Sequence, residues 1–188
     1  APAVLTQVQT RNDPAYVFTR QTAADEAGHR LALQTAESQL FEGRGAETVG
    51  WVAIEAGTGR AAAPGTDAAR FEAGRTAPAI SDGGARHDFA AAFEAAPGLA
   101  AALSSFAGPD PVIARLPVLD SAGFEARAQE DRSLDLETGH TAETVDYLAH
   151  ALPNGEGAAT GTALDQIGEV HRLIVSGGTQ TVAFSRAY

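Results

Sequence analysis

Cysteine, lysine and methionine are absent from this chain of 188 residues, and aromatic residues make up only 6% of it. The absence of cysteine excludes disulfides and cysteine-ligated metal or redox sites. Because lysine is absent, arginine supplies all 13 basic side chains against 24 acidic ones, and the net charge is -11. A protein that binds nucleic acid needs a basic face, so this charge predicts no nucleic-acid partner.

Long apolar runs and familiar catalytic motifs are missing as well. No stretch approaches the roughly 18 consecutive apolar residues of a membrane helix, so we predict no membrane insertion. The nucleophile-elbow, phosphate-loop and zinc-protease motifs do not occur. No pair of carboxylates stands in a context that would separate their pKa values. We therefore predict that the chain is not an enzyme.

What the chain does have is an internal repeat with a period of about 95 residues. Residues 46–51 (Ala-Glu-Thr-Val-Gly-Trp) match residues 142–147 (Ala-Glu-Thr-Val-Asp-Tyr) at an offset of 96. Residues 25–28 (Asp-Glu-Ala-Gly) match residues 120–123 (Asp-Ser-Ala-Gly) at an offset of 95. At the same offset Arg20 matches Arg115, and Gln34 matches Gln129. Landmarks in one order at nearly one offset indicate two copies of one module, here called the first and the second repeat.

The repeats are out of phase with the ends of the chain. Phe89 and Phe93 precede the second repeat, and at an offset of 95 they fall on Phe184 and Tyr188. Residues 179–184 (Thr-Gln-Thr-Val-Ala-Phe) are therefore predicted to be the opening strand of the first repeat. We predict that this strand returns to the first module and closes it. The alternative is that it completes a neighbouring module, in a tandem array or by strand exchange between subunits.

Period-two alternation predicts strands along much of both repeats. In the first repeat the predicted strands lie at residues 4–10, 15–19, 29–34 and 48–54. The last of these is apolar almost throughout and is expected to be covered on both faces. The alanine-rich residues 88–95 and 98–103 could form helices, but the repeat favours strands there. A turn is predicted at residues 57–59, and loops at residues 59–70 and 153–166.

Short strands separated by turns predict an all-β fold of two tandem antiparallel β-sandwich modules, each of about six strands. The first module is predicted at residues 1–80 and is completed by a strand within residues 168–188. The second module is predicted at residues 81–167. The C-terminal strand would complete the first module or a neighbouring one.

The order of short motifs resembles the H-type lectin module, a six-stranded antiparallel sandwich. The pieces are an arginine after a short strand, a Gly-aromatic pair that opens the next strand, and a Val-x-Trp-Val-Ala-Ile strand. In this chain they are Arg20 and Arg115, Gly123-Phe124 (Gly28-His29 in the first repeat), and residues 49–54. Residues 139–145 (Gly-His-Thr-Ala-Glu-Thr-Val) are similar to an extended form of the module in large secreted bacterial proteins, which often carry hemolysin-type calcium-binding repeats.

The resemblance implies binding of galactose-type sugars at sites between subunits, often in trimers. Lectins of the family tend to carry an aromatic residue with an acidic neighbour just after the Gly-aromatic strand. This chain has Thr35-Ala36-Glu37 in one repeat and Glu130-Asp131 in the other. Glu37 and Asp131 are therefore candidate ligand-binding residues at a position that lacks the family's stacking aromatic.

Glu47 and Glu143 occupy equivalent positions and are predicted to form structural clamps beneath a loop. Each could accept hydrogen bonds from the arginine of its own repeat, which is Arg20 for Glu47 and Arg115 for Glu143. Arginine and carboxylate form strong two-point contacts, which suits such a role. The alternative is that these side chains bind sugar hydroxyls, so both arginines are also candidate ligand-binding residues.

Trp51, the single tryptophan, and Tyr147 are equivalent residues of a strand that is apolar on both faces. This position favours core packing for both side chains. The alternative is that Trp51 faces outward, in which case it is the best platform for a sugar ring in the chain. Both residues are therefore also candidate ligand-binding residues.

His140 lies three residues before Glu143. On an extended strand such residues point to opposite faces, so no metal site is predicted. We expect a surface loop histidine beside a carboxylate that organises a turn, and His140 is kept as a candidate ligand-binding residue. Asp82-Gly83-Gly84 and residues 154–157 contain residue types that calcium loops use, but neither matches a specific calcium motif. Both are predicted to be turns, and no cofactor is predicted.

Together these features predict a non-enzymatic, lectin-like module outside the cell, at a cell or virion surface. Its expected partners are a glycan or surface polysaccharide, and further subunits in a trimer or tandem array. The alternative is a structural repeat of a surface array, a filament or a virus-like appendage such as a spike or fibre.

Overall fold

The structure is a computed structural model that describes residues 1–39, 45–61 and 69–151. In these ranges the chain is all-β, as predicted, with a single 3-10 turn at Glu37–Gln39. The strands are β1 (Ala3–Val8), β2 (Val17–Ala24), β3 (His29–Thr35), β4 (Val49–Ile54), β5 (Gly57–Ala61), β6 (Ala69–Arg75), β7 (Ala85–Asp88), β8 (Gly98–Leu103), β9 (Val112–Leu119), β10 (Gly123–Glu130) and β11 (Val145–His150). The described part of the chain contains no helix with the length and apolar character needed to cross a membrane.

The strands form antiparallel sheets whose pairing follows the repeat. In the first repeat β1 pairs with β4, and β2 pairs with β3. In the second repeat β8 pairs with β11, and β9 pairs with β10. The register is the same in both, because Val8 lies opposite Val49 and the matching Leu103 lies opposite Val145. The duplication found in the sequence is therefore a duplication of strand pairing.

The turns that join β2 to β3 and β9 to β10 are also alike, which explains the matching Asp-x-Ala-Gly motifs. The carboxylate of Asp25 accepts hydrogen bonds from the backbone N–H groups of Ala27 and Gly28. The carboxylate of Asp120 accepts the same pair from residues 122 and 123. An aspartate that binds the backbone two and three residues ahead fixes a tight turn. Arg86 on β7 also binds Asp120 and helps to lower the pKa of this carboxyl to about 2.

The main core lies in the second repeat. The four-stranded sheet β5-β6-β11-β8 and the three-stranded sheet β7-β10-β9 belong to this half of the molecule. Alternate residues of β11 and β10 point into one apolar cluster, in which Phe124 and Val145 are fully buried and Tyr147 is nearly so. Phe124 contacts Tyr147 edge-on, with 5.3 Å between ring centroids.

Several sequence predictions differ from the structure. Residues 57–61 form β5 and not a turn, and β5 and β6 pair through to β11. The sheet of the second repeat therefore begins earlier than the predicted boundary between residues 80 and 81. Residues 98–103 form a strand as predicted, whereas residues 89–97 form neither helix nor strand.

Two further predictions concern strand coverage and the C-terminus. Strand β4 is largely exposed in the described structure, with both Trp51 and Val52 open to solvent, whereas the equivalent β11 is covered on both faces. The predicted coverage of residues 48–54 on both faces is therefore wrong for β4 in the described structure. The predicted strand at residues 179–184, the loop at 153–166 and the turn at 154–157 lie outside the described residues.

Candidate functional site

Each clamp glutamate closes the loop that follows the first strand of its own repeat. The carboxylate of Glu47 accepts hydrogen bonds from the hydroxyl of Thr10 and from the backbone N–H groups of Asn12 (2.8 Å) and Asp13 (2.7 Å). These three hydrogen bonds hold the pKa of Glu47 below its usual value. Among the described residues the clamp is formed by loop donors, and arginine is not one of them.

Glu143 is held in the same way in the second repeat. Its carboxylate accepts from the hydroxyl of Ser105 and from the backbone N–H groups of Ala107 (2.9 Å) and Gly108 (3.4 Å). Each of these donors lies 95 positions after its counterpart in the first repeat. The carboxylate and its loop are thus one local motif that occurs twice.

The two repeats meet at Glu143, because its arginine partner comes from the other repeat. Arg20 Nη2 lies 2.7 Å from Glu143 Oε1, and both side chains are completely buried. Arg20 also donates to Gln34 Oε1 (2.8 Å) and to the carbonyl of Ser105 (3.2 Å). Gln34 in turn donates to the carbonyl of Pro109 (2.9 Å). We call this group of five residues the inter-repeat contact.

The predicted pairing of each arginine with the glutamate of its own repeat is therefore wrong. Arg20 does not contact Glu47, and Arg115 does not contact Glu143. Arg115 is exposed and donates instead to Gln129 Oε1, at 3.0 Å, on the neighbouring strand. The arginine that reaches a clamp does so by crossing from the preceding repeat.

The inter-repeat contact is an ion pair inside the protein. Burial lowers the pKa of Arg20 and Glu143 opposes this effect, but an arginine keeps its charge in proteins. Burial alone would raise the pKa of Glu143. The hydrogen bonds that it accepts and the charge of Arg20 outweigh burial, and its pKa lies below the usual value. Both partners are therefore charged, and removal of either one leaves the other charge buried and unpaired.

His140 also contacts the inter-repeat contact, through Glu143. Its ring is buried, with Nδ1 2.7 Å from Glu130 and Nε2 3.0 Å from Glu143. The ring packs against Gly108, where a Cβ atom would lie only 2.6 Å from the ring carbon Cε1. The expectation of a surface histidine is therefore wrong. His140 and Glu143 do converge because the histidine lies in a loop, but the described residues contain no group of three His, Asp or Glu side chains that could hold a metal ion.

Glu37 and Asp131 also lie between the repeats. The backbone N–H of Glu37 donates to the carboxylate of Asp131 at 2.6 Å, and that carboxylate also accepts from the hydroxyl of Ser133. Burial, with the nearby charges of Asp135 and Asp110, raises the pKa of Glu37. The two candidate ligand-binding residues thus contact each other across the repeats, where they position two loops.

Sequence reasoning missed Asp146, which ties β1 to the second repeat. Its buried carboxylate accepts from the backbone N–H of Val4 (2.7 Å) and forms two hydrogen bonds with Arg75 (2.6 and 3.0 Å). Strand β1 therefore lies against the face of β11 that points away from the core. One signal was available, since Asp146 is a charged residue in an apolar strand where the first repeat has Gly50.

Trp51 and Tyr147 keep equivalent ring contacts but differ in exposure. Trp51 packs against His29 with centroids 5.3 Å apart and a 60° angle between ring planes. Tyr147 packs against Phe124 at 5.3 Å and 63°. Tyr147 is 4% exposed, whereas Trp51 is 60% exposed. Within the described residues, core packing holds for Tyr147 and not for Trp51.

An open groove lies beside the clamp loop of the first repeat. It encloses about 300 Å³ and is lined by Thr10, Arg11, Pro14, Tyr16 and Glu47, among others. Tyr16 is 66% exposed there. The groove is formed by the clamp loop of the first repeat, and the matching loop of the second repeat is the one that contacts Arg20.

Comparison with known proteins gives one similarity. The chain is 29% identical over 172 residues to halomucin from Haloquadratum walsbyi. The matched stretch covers 89% of this chain and 2% of the length of halomucin. No family model matches the chain, and no solved structure matches it. The chain thus resembles one small part of a much longer protein.

Proposed function

We propose that this chain is a non-enzymatic repeat unit of an extracellular surface protein, in which β-sandwich modules pack in series. The observation that carries the proposal is the inter-repeat contact. Similarity to a short stretch of the very long halomucin supports the same view, since 29% identity extends through most of both repeats. The acidic composition suits a surface exposed to water and salt.

The inter-repeat contact favours a rigid series of modules over two independent ones. Modules joined only by a flexible linker share small, polar surfaces and move relative to each other. Here a completely buried ion pair and the buried bond from Val4 to Asp146 join the repeats. A buried ion pair adds little net stability relative to apolar packing, and we propose that this one fixes the position of one repeat against the other, which suits a spacer that must keep its shape.

Equilibrium unfolding of the full chain tests this proposal. Trp51 is the only tryptophan and reports on the first repeat, whereas far-ultraviolet circular dichroism reports on the strands of both repeats. If the repeats form one rigid unit, the two signals change at the same denaturant concentration. Two separated transitions in the unmodified chain would contradict the proposal.

Glycan recognition is the second candidate function, and the pair formed by the exposed Trp51 and the half-buried His29 favours it. An outward tryptophan beside a second ring offers a flat face on which a sugar can stack. Such a face is what the lectin function implied by the H-type resemblance requires. In the second repeat Phe89 lies close to Tyr147, and the residue that matches Phe89 is Phe184, outside the described residues. A ring that covers Trp51 would exclude a sugar.

Titration of the full chain with galactosides and acidic polysaccharides, measured by isothermal titration calorimetry, tests the glycan proposal. A saturable heat of binding that is lost in Trp51→Ala and kept in Tyr16→Ala is expected, because Tyr16 is similarly exposed but lies elsewhere. Silence toward every glycan, together with resistance of Trp51 to a soluble quencher, would place this ring in a core and remove the proposal.

A further inference from the structure

The two repeats carry the two halves of the inter-repeat contact a second time, and among the described residues neither half contacts another repeat. We propose that a second chain docks end to end on the first, so that Arg115 and Gln129 of one chain bind the clamp loop at Thr10, Pro14 and Glu47 of the next. This inference rests on the proposed repeat unit and adds the partner, which is another molecule of the same chain.

The donating half is present on the second repeat. Arg115 and Gln129 lie 95 positions after Arg20 and Gln34, and in both pairs the arginine donates to the glutamine oxygen, through Nε of Arg115 (3.0 Å) and through Nη1 of Arg20 (2.8 Å). Arg20 and Gln34 are buried by the following repeat, whereas Arg115 is exposed. The arginine and the glutamine are thus already paired, and docking requires only that the guanidinium of Arg115 turn to the orientation of Arg20.

The accepting half is present on the first repeat. The buried contact uses the carbonyls of Ser105 and Pro109 and the carboxylate of Glu143. The matching groups are the carbonyls of Thr10 and Pro14 and the carboxylate of Glu47, and all three residues line the open groove. The cationic Arg115 on one surface and the clamped carboxylate of Glu47 on the other are complementary in charge.

The exposed face of β4 fits the same arrangement. Strand β1 covers the outer face of β11 and reaches Asp146. The equivalent outer face of β4 carries Val52, which is 56% exposed. Strand β8 of the second repeat matches β1 of the first. In the docked pair, β8 of the chain that provides Arg115 would therefore lie over Val52 of the chain that provides the clamp loop.

Two replacements make this docking weaker than the contact within the chain. Arg20 stacks on the ring of Phe106, 4.6 Å from its centroid, but the matching residue on the free loop is Arg11. Gly50 stands where Asp146 accepts the bond from the neighbouring strand. We therefore expect reversible association. The two docking surfaces differ, so a pair of docked chains still has one Arg115 surface and one clamp-loop surface available. Further chains can therefore add at either end, and the assembly is open-ended.

Sedimentation of the full chain over micromolar to millimolar concentration tests the proposal. We expect the mean mass to rise with concentration. Arg115→Glu should weaken association at least about 30-fold, because it places a second acidic group against Glu47. Arg30→Glu is the matched control, since it changes the charge equally on an exposed residue outside the proposed surface, and association should stay within about threefold.

A variant on the opposite surface makes the test stricter. Arg11→Phe supplies the ring that Arg20 has in Phe106, and association should become at least about threefold tighter. The gain should vanish when Arg115→Glu is combined with it. A chain that stays monomeric throughout, or that associates equally well with Arg115→Glu, overturns the docking proposal. Either result leaves the unfolding test of the repeat unit unaffected, so the two proposals can fail separately.

Discussion

Arg20→Leu is expected to lower the free energy of unfolding by about 3–5 kcal/mol. Leucine fills part of the space but leaves Glu143 charged, buried and without its cation. Ser105 and the nearby backbone N–H groups still bind the carboxylate, so the protein should fold. Chemical denaturation of both proteins gives the difference.

Arg115→Leu is the matched control, because Arg115 holds the same position in the second repeat. This residue is exposed, and its change should alter the free energy of unfolding by no more than about 0.5 kcal/mol at a concentration where the chain is monomeric. Equal losses in the two variants would show that Arg20 acts within its own repeat. The buried inter-repeat ion pair would then be refuted.

Phe124→Ala is expected to cost about 3–5 kcal/mol of unfolding free energy, because it leaves a cavity in the main core. Phe124 is 0% exposed and contacts the rings of Tyr147, Phe89 and His87. Rigid strands on both sides limit how far the core can collapse into the space. Thermal unfolding should show a clear drop in the midpoint.

His29→Ala gives the corresponding measurement in the first repeat. His29 matches Phe124 but is only half-buried, and among the described residues its one ring contact is with Trp51. The expected loss is about 1 kcal/mol, the value of a partly exposed aromatic pair. A loss as large as that of Phe124→Ala would mean that the His29–Trp51 pair lies in a complete core of its own.

The repeat and the clamps could be predicted from the sequence because both are local. Strand pairing, the Asp25 and Asp120 turns and the loops held by Glu47 and Glu143 each depend on residues of one repeat. The fixed offset therefore predicted that these features occur twice. It could not show how one repeat meets the other.

The arginine partners illustrate that limit. Two equivalent arginines and two equivalent glutamates can pair within repeats or across them, and the sequence offers each choice equally. Packing decides, since the second repeat buries Arg20 against Glu143. The predicted pairing within each repeat is therefore wrong, and the inter-repeat contact was not predicted.

Strand β5 was missed for a different reason. Gly57 and Gly59 indicate a turn by composition, but Gly59 lies in a strand where a Cβ atom would be 2.4 Å from the ring of Phe71. Glycine is needed there because the ring of the neighbouring strand β6 approaches closely. Only the close approach of Phe71 in three dimensions explains why residue 59 is glycine.

A double-mutant cycle between Arg20 and Glu143 tests the inter-repeat contact most directly. The free energies of unfolding of Arg20→Leu, Glu143→Leu and the double variant, compared with the unmodified chain, give the coupling between the two side chains. We predict a coupling of at least about 2 kcal/mol for this pair and no more than about 0.5 kcal/mol for Arg20 with Glu47. Coupling of Arg20 to Glu47 and not to Glu143 would contradict the account.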